Sequence, residues 1–237
     1  MLAAQLDNLE LVGSGDMDGQ GNALDNRLVG NEWANALDGG TGADTLVGND
    51  GDDTYTVDNA GDTVIEAPGG GNDFVRSSIS FELGIGLENL VLLGTKSLTA
   101  AGNELDNVIS GNSGSNRIEG GFGTDTLTGG AGRDTFVWTD VEETADNSWY
   151  ADIITDFSTA QRDRISLTAI DADTTTSGDQ AFRYIAGAAF SGAGQVRSYS
   201  ESGYTCLALN TDRNLDTVEG VIRLDGTPRL SSASFLL

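Results

Sequence analysis

The stretch GGTGADTLVGNDGDDTYT, residues 39–56, places four aspartates and five glycines within eighteen residues. Divided after the ninth residue, it reads GGTGADTLV and GNDGDDTYT, and the eighth residue of each half is apolar or aromatic, Leu46 or Tyr55. Glycine-rich polar segments followed by such triplets are typical of a tight turn and a very short strand. One nonapeptide of this kind buries too little surface to fold alone, so the stretch predicts a structure built from repeats.

The same nine-residue pattern fills two blocks of the chain, Gly21–Thr56 and Gly102–Val137, with four nonapeptides in each. Asp or Asn occupies the sixth position throughout, and an apolar or aromatic residue occupies the eighth. Two nonapeptides make one flat coil, and stacked coils bury a continuous column, so we expect an all-β solenoid. The predicted core column consists of Leu28, Leu37, Leu46, Tyr55, Ile109, Ile118, Leu127 and Phe136.

In such a solenoid, the sixth position of each nonapeptide stacks on the sixth position two nonapeptides later. Stacked carboxylates repel one another unless a cation neutralises them, and an all-oxygen site without His or Cys favours Ca²⁺. Steps that pair two aspartates should bind most strongly, whereas capping of their own turns is an equal alternative for the asparagines. The predicted ladders are Asn26–Asp44–Asp62, Asn35–Asp53–Asp73, Asn107–Asp125–Glu143 and Asn116–Asp134–Asp152.

The composition favours cations as partners and argues against several other functions. Thirty-seven acidic residues face twelve basic ones, for a formal net charge of −25, which disfavours binding to nucleic acid or to an anionic membrane. The chain has no histidine, the commonest general base and zinc ligand. The single cysteine, Cys206, excludes an internal disulfide and is expected in the core. We expect no catalysis from these residues.

Two of the segments, GGTGADTLV and GGFGTDTLTGGAGRDTFV, resemble the calcium-binding repeats of RTX proteins, also called hemolysin-type repeats. The resemblance implies a parallel β-roll in two blocks, capped by a C-terminal β-sandwich-like domain. It also implies that carboxylate and carbonyl oxygens of the repeat turns hold several Ca²⁺ ions. The turn residues in question are Gly39, Thr41, Gly42, Asp44, Gly48, Asp50 and Asp53, with Gly120, Phe122, Gly123, Asp125, Gly129, Ala131, Gly132 and Asp134.

The segment ADIITDFSTAQRDRISLTAID resembles the sequence that follows the repeats in serralysin-type metalloproteases. On this basis the chain divides into a first β-roll block (1–65), a spacer with irregular repeats (66–101), a second block (102–137) and a serralysin-like capping and secretion domain (138–237). Such proteins leave Gram-negative bacteria through type I secretion machinery that reads an uncleaved C-terminal signal. The resemblance therefore implies an extracellular module that folds on calcium after export and supports an attached activity.

The same resemblance leaves a second function open. Similar repeats and tails belong to secreted polysaccharide-modifying enzymes such as alginate epimerases, where they contact the polymer. A carbohydrate-binding module is therefore the alternative function, and aromatic side chains would form its stacking surfaces. The candidates are Trp33, Trp138, Trp149 and Tyr150.

Overall fold

The computed structural model describes residues 1–237 and consists of short strands joined by turns. The first sheet contains β1 (Asn8–Glu10), β3 (Arg27–Val29), β5 (Thr45–Val47) and β7 (Thr63–Ile65). The second contains β2 (Met17–Asn22), β4 (Asn35–Gly40), β6 (Thr54–Val57), β8 (Phe74–Ser77), β10 (Asn89–Leu92), β12 (Val108–Ser110), β14 (Thr126–Thr128), β16 (Ile153–Ile154), β18 (Arg183–Tyr184), β19 (Gln195–Glu201), β20 (Tyr204–Asn210) and β21 (Gly220–Asp225). The third contains β9 (Phe81–Glu82), β11 (Thr99–Ala101), β13 (Arg117–Glu119), β15 (Thr135–Val137), β17 (Arg164–Ser166) and β22 (Phe235–Leu236). The helices are two 3-10 turns, Val141–Glu143 and Ser232–Ser234. Neither of them could serve as a membrane-spanning segment.

The repeat blocks form a parallel β-solenoid. Within the blocks each strand pairs in parallel with the strand two positions later in the chain, as in Arg27 opposite Thr45 and Arg117 opposite Thr135. Each coil therefore contributes one strand to each of two facing sheets. This arrangement confirms the all-β class and the parallel β-roll that the nonapeptide period predicts.

The solenoid runs without interruption through the predicted spacer. The second, twelve-stranded sheet takes β4 and β6 from the first block, β8 and β10 from the spacer, and β12 and β14 from the second block. The two blocks start nine nonapeptides apart, an odd number, so corresponding nonapeptides lie on opposite faces. The spacer thus continues the coil, although its steps of 20 and 15 residues depart from the regular 18.

The core is a single apolar column between the facing sheets. All eight predicted column residues are at most 1% exposed. Burying one such side chain contributes about 1.5–3 kcal/mol, whereas ordering each backbone residue costs about 1–2 kcal/mol. One nine-residue unit therefore cannot be stable alone, and its stability depends on the coils above and below.

The tail closes the C-terminal end of this column. Strand β16 pairs in parallel with β14, β17 pairs with β15, and β19, β20 and β21 add an antiparallel meander beyond β16. Phe157 packs on Phe136 with a ring-centroid separation of 6.4 Å. One apolar cluster of 30 buried residues extends from Leu2 to Phe235, so tail and solenoid share a core. Cys206 is buried in β20, as expected.

Candidate metal sites

The sixth-position residues form ladders held by one recurrent hydrogen bond. The backbone N–H of each donates to a carboxylate oxygen one coil later, as from Asn26 to Asp44 Oδ1 at 2.7 Å and from Asp44 to Asp62 Oδ1 at 2.9 Å. The same bond joins Asn35 to Asp53, Asp53 to Asp73, Asn107 to Asp125 and Asn116 to Asp134. These six steps confirm the stacking predicted within the repeats.

One carboxylate oxygen in most of the interior steps remains without a partner. Oδ2 of Asp44, Asp125 and Asp134 is buried and accepts no hydrogen bond. An unsatisfied buried polar atom costs about 1–3 kcal/mol, and more when it is charged. A hard cation can coordinate such oxygens without a proton, and calcium takes 6–8 oxygen ligands. The residues present therefore fit calcium.

Glycine at the first position of the repeat makes room beside these oxygens. A Cβ on Gly39 would overlap Asp44 Oδ2, and a Cβ on Gly120 would overlap Asp125 Oδ2. Any other residue would fill the space next to the unpartnered oxygen. The glycine pattern is therefore part of the candidate sites as well as of the turns.

Burial shifts the ladder carboxylates toward the protonated form. Burial, together with the adjacent charge of Asp152, raises the pKa of Asp125 from 3.8 to about 8. Burial likewise raises the pKa of Asp152 to about 7 and that of Asp134 to about 6. Without a cation, the folded chain thus holds protons that the unfolded chain would release.

We expect the calcium-free chain to lose stability as the pH rises. Because the pKa values in the folded chain are raised, the stabilisation is fully present below 3.8 and is lost as the pH passes through about 6 to about 8. Saturating calcium should reverse this trend, since it replaces the protons at the same oxygens. Thermal unfolding across this pH window, in chelator and in calcium, provides the measurement. A chelated chain that becomes more stable toward pH 8 would contradict this interpretation.

Three carboxylates at the ends of the ladders have both oxygens hydrogen-bonded. Asp62 Oδ2 accepts from the N–H groups of residues 58 and 59, and Asp163 Oδ2 accepts from Ser158 N at 2.8 Å. Asp152 Oδ2 accepts from the indole Nε1 of Trp138 at 2.7 Å. Protein groups therefore satisfy the last carboxylate of these three ladders, and the unpartnered oxygens of Asp44, Asp125 and Asp134 belong to interior positions.

The asparagines of the ladders make contacts that a carboxylate cannot make. Asn26 Nδ2 donates to the carbonyls of Leu6 and Asp7, and Asn107 Nδ2 donates to those of Leu87 and Glu88. Asn35 Nδ2 donates to the carbonyl of residue 17 at 3.0 Å. At these steps a neutral amide joins successive coils, which agrees with the weaker calcium binding expected there.

The predicted ladder positions of Glu143 and Asp152 are wrong. Asp152, not Glu143, lies below Asp125 and accepts its N–H at 2.8 Å, and Asp163, not Asp152, lies below Asp134 at 3.0 Å. The segment after Val137 leaves the coil and includes the 3-10 turn Val141–Glu143, so these steps span 27 and 29 residues instead of 18. Both oxygens of Glu143 accept hydrogen bonds from Thr139.

Sequence reasoning also missed acidic residues outside the strict repeat. Glu88 lies immediately before β10 and accepts the N–H of Asp73 at 2.8 Å, so it carries the ladder through the spacer. Glu66 lies beside Asp53 and Asp73. The sequence signal that could have identified them is an acidic residue just before or just after a short apolar segment. Using this signal requires knowing the strand register, which the nine-residue count does not give here.

The third-position residues of the repeat turns lie on the outer side of the solenoid. Their side chains are exposed. Gly42, Gly123 and Gly132 directly follow three of these residues and have positive φ of 136°, 109° and 109°. Only glycine adopts such a backbone readily. Calcium binding through carbonyls of these turns stays a prediction. The exposed residues are Thr41, Asp50, Phe122 and Ala131.

A comparison with known protein families agrees with this geometry. The model of the RTX calcium-binding nonapeptide repeat (4 copies) matches residues 20–55, 29–64 and 101–136. No curated protein matches the chain. The chain is similar to the solved AlgE6R2 subunit of the Azotobacter vinelandii mannuronan C5-epimerase, at 19% identity over 69% of this chain and 91% of that one, with a TM-score of 0.43. It is also similar to the AlgE6R3 subunit of that enzyme, at 19% identity over 99% of this chain and 86% of that one, with a TM-score of 0.33. Residues 20–64 and 101–136 thus carry RTX calcium-binding nonapeptide repeats, whose role is structural rather than catalytic.

Proposed function

We propose that the chain is a calcium-triggered folding module of a secreted bacterial protein. The observation that carries the proposal is the set of buried carboxylate oxygens without a hydrogen-bond partner, at Asp44, Asp125 and Asp134. Each belongs to a repeat turn and lies against a glycine, where any side chain would collide with the oxygen. In the absence of calcium these oxygens oppose folding, and in its presence they become ligands.

The trigger works by mass action. Calcium that binds only the folded chain stabilises it by about 2.7 kcal/mol per site when the ion is at 100 times its dissociation constant. Several such sites along one continuous core add together, because the coils fold only with their neighbours. Low cytosolic calcium therefore keeps the chain loose, and the higher calcium concentration outside the cell folds it.

Export of the loose chain by a type I route is the finer part of the proposal. The supporting feature is the serralysin-like sequence of the tail. In the folded chain Phe235 and Leu236 form the edge strand β22, opposite Ile165 and Ser166 of β17. The same residues would thus serve as a signal in the unfolded chain and as a strand in the folded one.

The export experiment uses a Gram-negative host that carries a type I secretion system, grown in low-calcium medium so that folding does not contribute. The full chain should reach the medium, and a variant lacking residues 231–237 should stay in the cell. The calcium response of purified full chain is measured separately. Equal export of the two chains would contradict the C-terminal signal and leave the folding trigger intact.

The alternative is a carbohydrate-binding module, and one surface favours it. Trp149 is 83% exposed and Tyr150 68% exposed, and Trp149 borders a shallow pocket where the Arg223 guanidinium lies 3.9 Å from the Tyr204 ring centroid. Exposed aromatic rings are typical sugar-stacking groups. Trp138 does not belong to this surface, because it is buried. A glycan array in calcium buffer, with Trp149→Ala as the control, separates the two functions: no binding by the parent chain excludes the alternative.

A further inference from the structure

A group of three carboxylates lies where the regular repeat of the first block ends. One oxygen from each of Asp53, Glu66 and Asp73 lies within 4.8 Å of the other two. Asp53 ends the last matched turn of the first block, whereas Glu66 and Asp73 fall outside the matched residues 20–64. The step from Asp53 to Asp73 spans 20 residues instead of 18, so the chain between them departs from the repeat. This group, which we call the junction cluster, therefore combines one repeat carboxylate, Asp53, with two acids from outside the matched repeats.

The junction cluster contains a buried oxygen that the protein leaves unsatisfied. Asp73 is 0% exposed, and its Oδ1 accepts the N–H of Asp53 at 2.8 Å. Its Oδ2 is buried and has no hydrogen-bond partner. A fully buried carboxylate beside two others, with one oxygen unpaired, is costly unless a cation shares it.

The surroundings of the cluster bring its oxygens together beside Gly48. The Tyr55 hydroxyl donates to Glu66 Oε1 and lies 3.5 Å from Asp53 Oδ2. A Cβ on Gly48 would overlap all three of these oxygen atoms. The tyrosine hydroxyl thus brings two carboxylates together, and the absence of a side chain at Gly48 makes room for all three groups.

We propose that Asp53, Glu66 and Asp73 bind a calcium ion that joins the first block to the spacer. Three carboxylates and no nitrogen or sulfur ligand favour a hard divalent cation with oxygen preference. The proposal requires calcium binding by the chain, but it does not depend on export.

The position of the ion explains what it would stabilise. Glu66 directly follows β7, the last strand of the four-stranded sheet, while Asp53 and Asp73 directly precede β6 and β8 of the twelve-stranded sheet. The four-stranded sheet ends at β7, and the six-stranded sheet begins only at β9. An ion in the junction cluster therefore links the two faces of the solenoid. It does so at the coil where one face passes from the four-stranded sheet to the six-stranded sheet.

The test compares calcium binding by the full-length parent, Glu66→Gln and Glu82→Gln in calorimetric titrations. Glu82 is an exposed residue of β9, so its variant makes the same charge change away from the cluster. Loss of an outer-shell partner weakens metal sites by about 10–100-fold, so Glu66→Gln should lose at least this much affinity at one site. The remaining sites and the Glu82→Gln variant should match the parent.

Terbium luminescence excited through tyrosine provides a second measurement, because Tyr55 contacts the cluster. Emission should fall in Glu66→Gln and remain in Glu82→Gln. If Glu66→Gln does not fold in calcium, Glu66→Asp keeps the charge but withdraws the carboxylate by one methylene, and it should bind one ion more weakly. Parent-like stoichiometry and affinity in the folded Glu66 variant would overturn the proposal. If Asp125→Asn still weakened calcium binding in the same assay, the proposed function would stand without the junction site.

Discussion

A chain that ends at Val137 should fail to fold its second block at calcium concentrations that fold the full chain. Truncation removes Ile154, which pairs with Leu127, and Ile165, which pairs with Phe136. The side chains of Leu127 and Phe136 would then be exposed to solvent at the end of the column. It also removes Asp152 and Asp163, which accept the N–H groups at the ends of two ladders. Exposed strand edges and an open apolar column favour aggregation. Calcium titration followed by circular dichroism and light scattering measures both effects.

A longer truncation serves as the control for this experiment. A chain ending at Ile170 keeps β16 and β17 with their ladder carboxylates but lacks the meander β19–β21. It should recover part of the calcium response that the shorter chain loses. If the chain ending at Val137 folds at the parental calcium concentration and stays monomeric, the tail does not cap the solenoid.

The variant Asp125→Asn should change the sign of its effect between chelator and calcium. In chelator at pH values above about 8, the parent holds a buried charge at Asp125 next to Asp152, and asparagine removes it. The variant should therefore retain more β signal than the parent in far-ultraviolet circular dichroism in chelator. In calcium the parent should be the more stable chain, because the variant lacks the charge of the proposed ligand and its calcium affinity should fall by at least about 10-fold.

The matched control is Asp225→Asn, the same change at an exposed residue of β21. It should leave the midpoint of calcium binding unchanged, and it should change the β signal in chelator and the thermal midpoint in calcium little, since exposed charges contribute little. If Asp125→Asn is less stable than the parent in both buffers, the carboxylate is a structural hydrogen-bond acceptor and not a calcium ligand.

The repeat blocks were predictable because their period is strict. A nine-residue unit with two units per coil fixes which residues stack, so the buried column and steps such as Asn26–Asp44 and Asn116–Asp134 follow from counting. Apolar burial at the eighth position and oxygen ligands at the sixth position both depend on that one register. The division of the chain into four domains stays a prediction, although the twelve-stranded sheet crosses its boundaries at 65, 101 and 137.

Counting fails where the coil lengthens. Trp138 turns inward and is 1% exposed, and its indole N–H donates to Asp152. Asp152 accepts the N–H of Asp125 and ends that ladder nine residues later than the coil length predicts. The nine-residue period contains no information about this excursion, so Glu143 was placed on a ladder that it does not join. Glu66 was missed for a related reason, because it follows a strand instead of preceding one.

Removal of calcium from the intact chain tests the central claim most directly. Far-ultraviolet circular dichroism of residues 1–237 is recorded in chelator at neutral pH and then during a calcium titration, with magnesium as the comparison ion. We predict a largely disordered spectrum in chelator and a cooperative gain of β signal with calcium, because the buried ladder carboxylates oppose folding until an ion binds them. An unchanged spectrum and melting temperature in chelator and calcium would contradict the account.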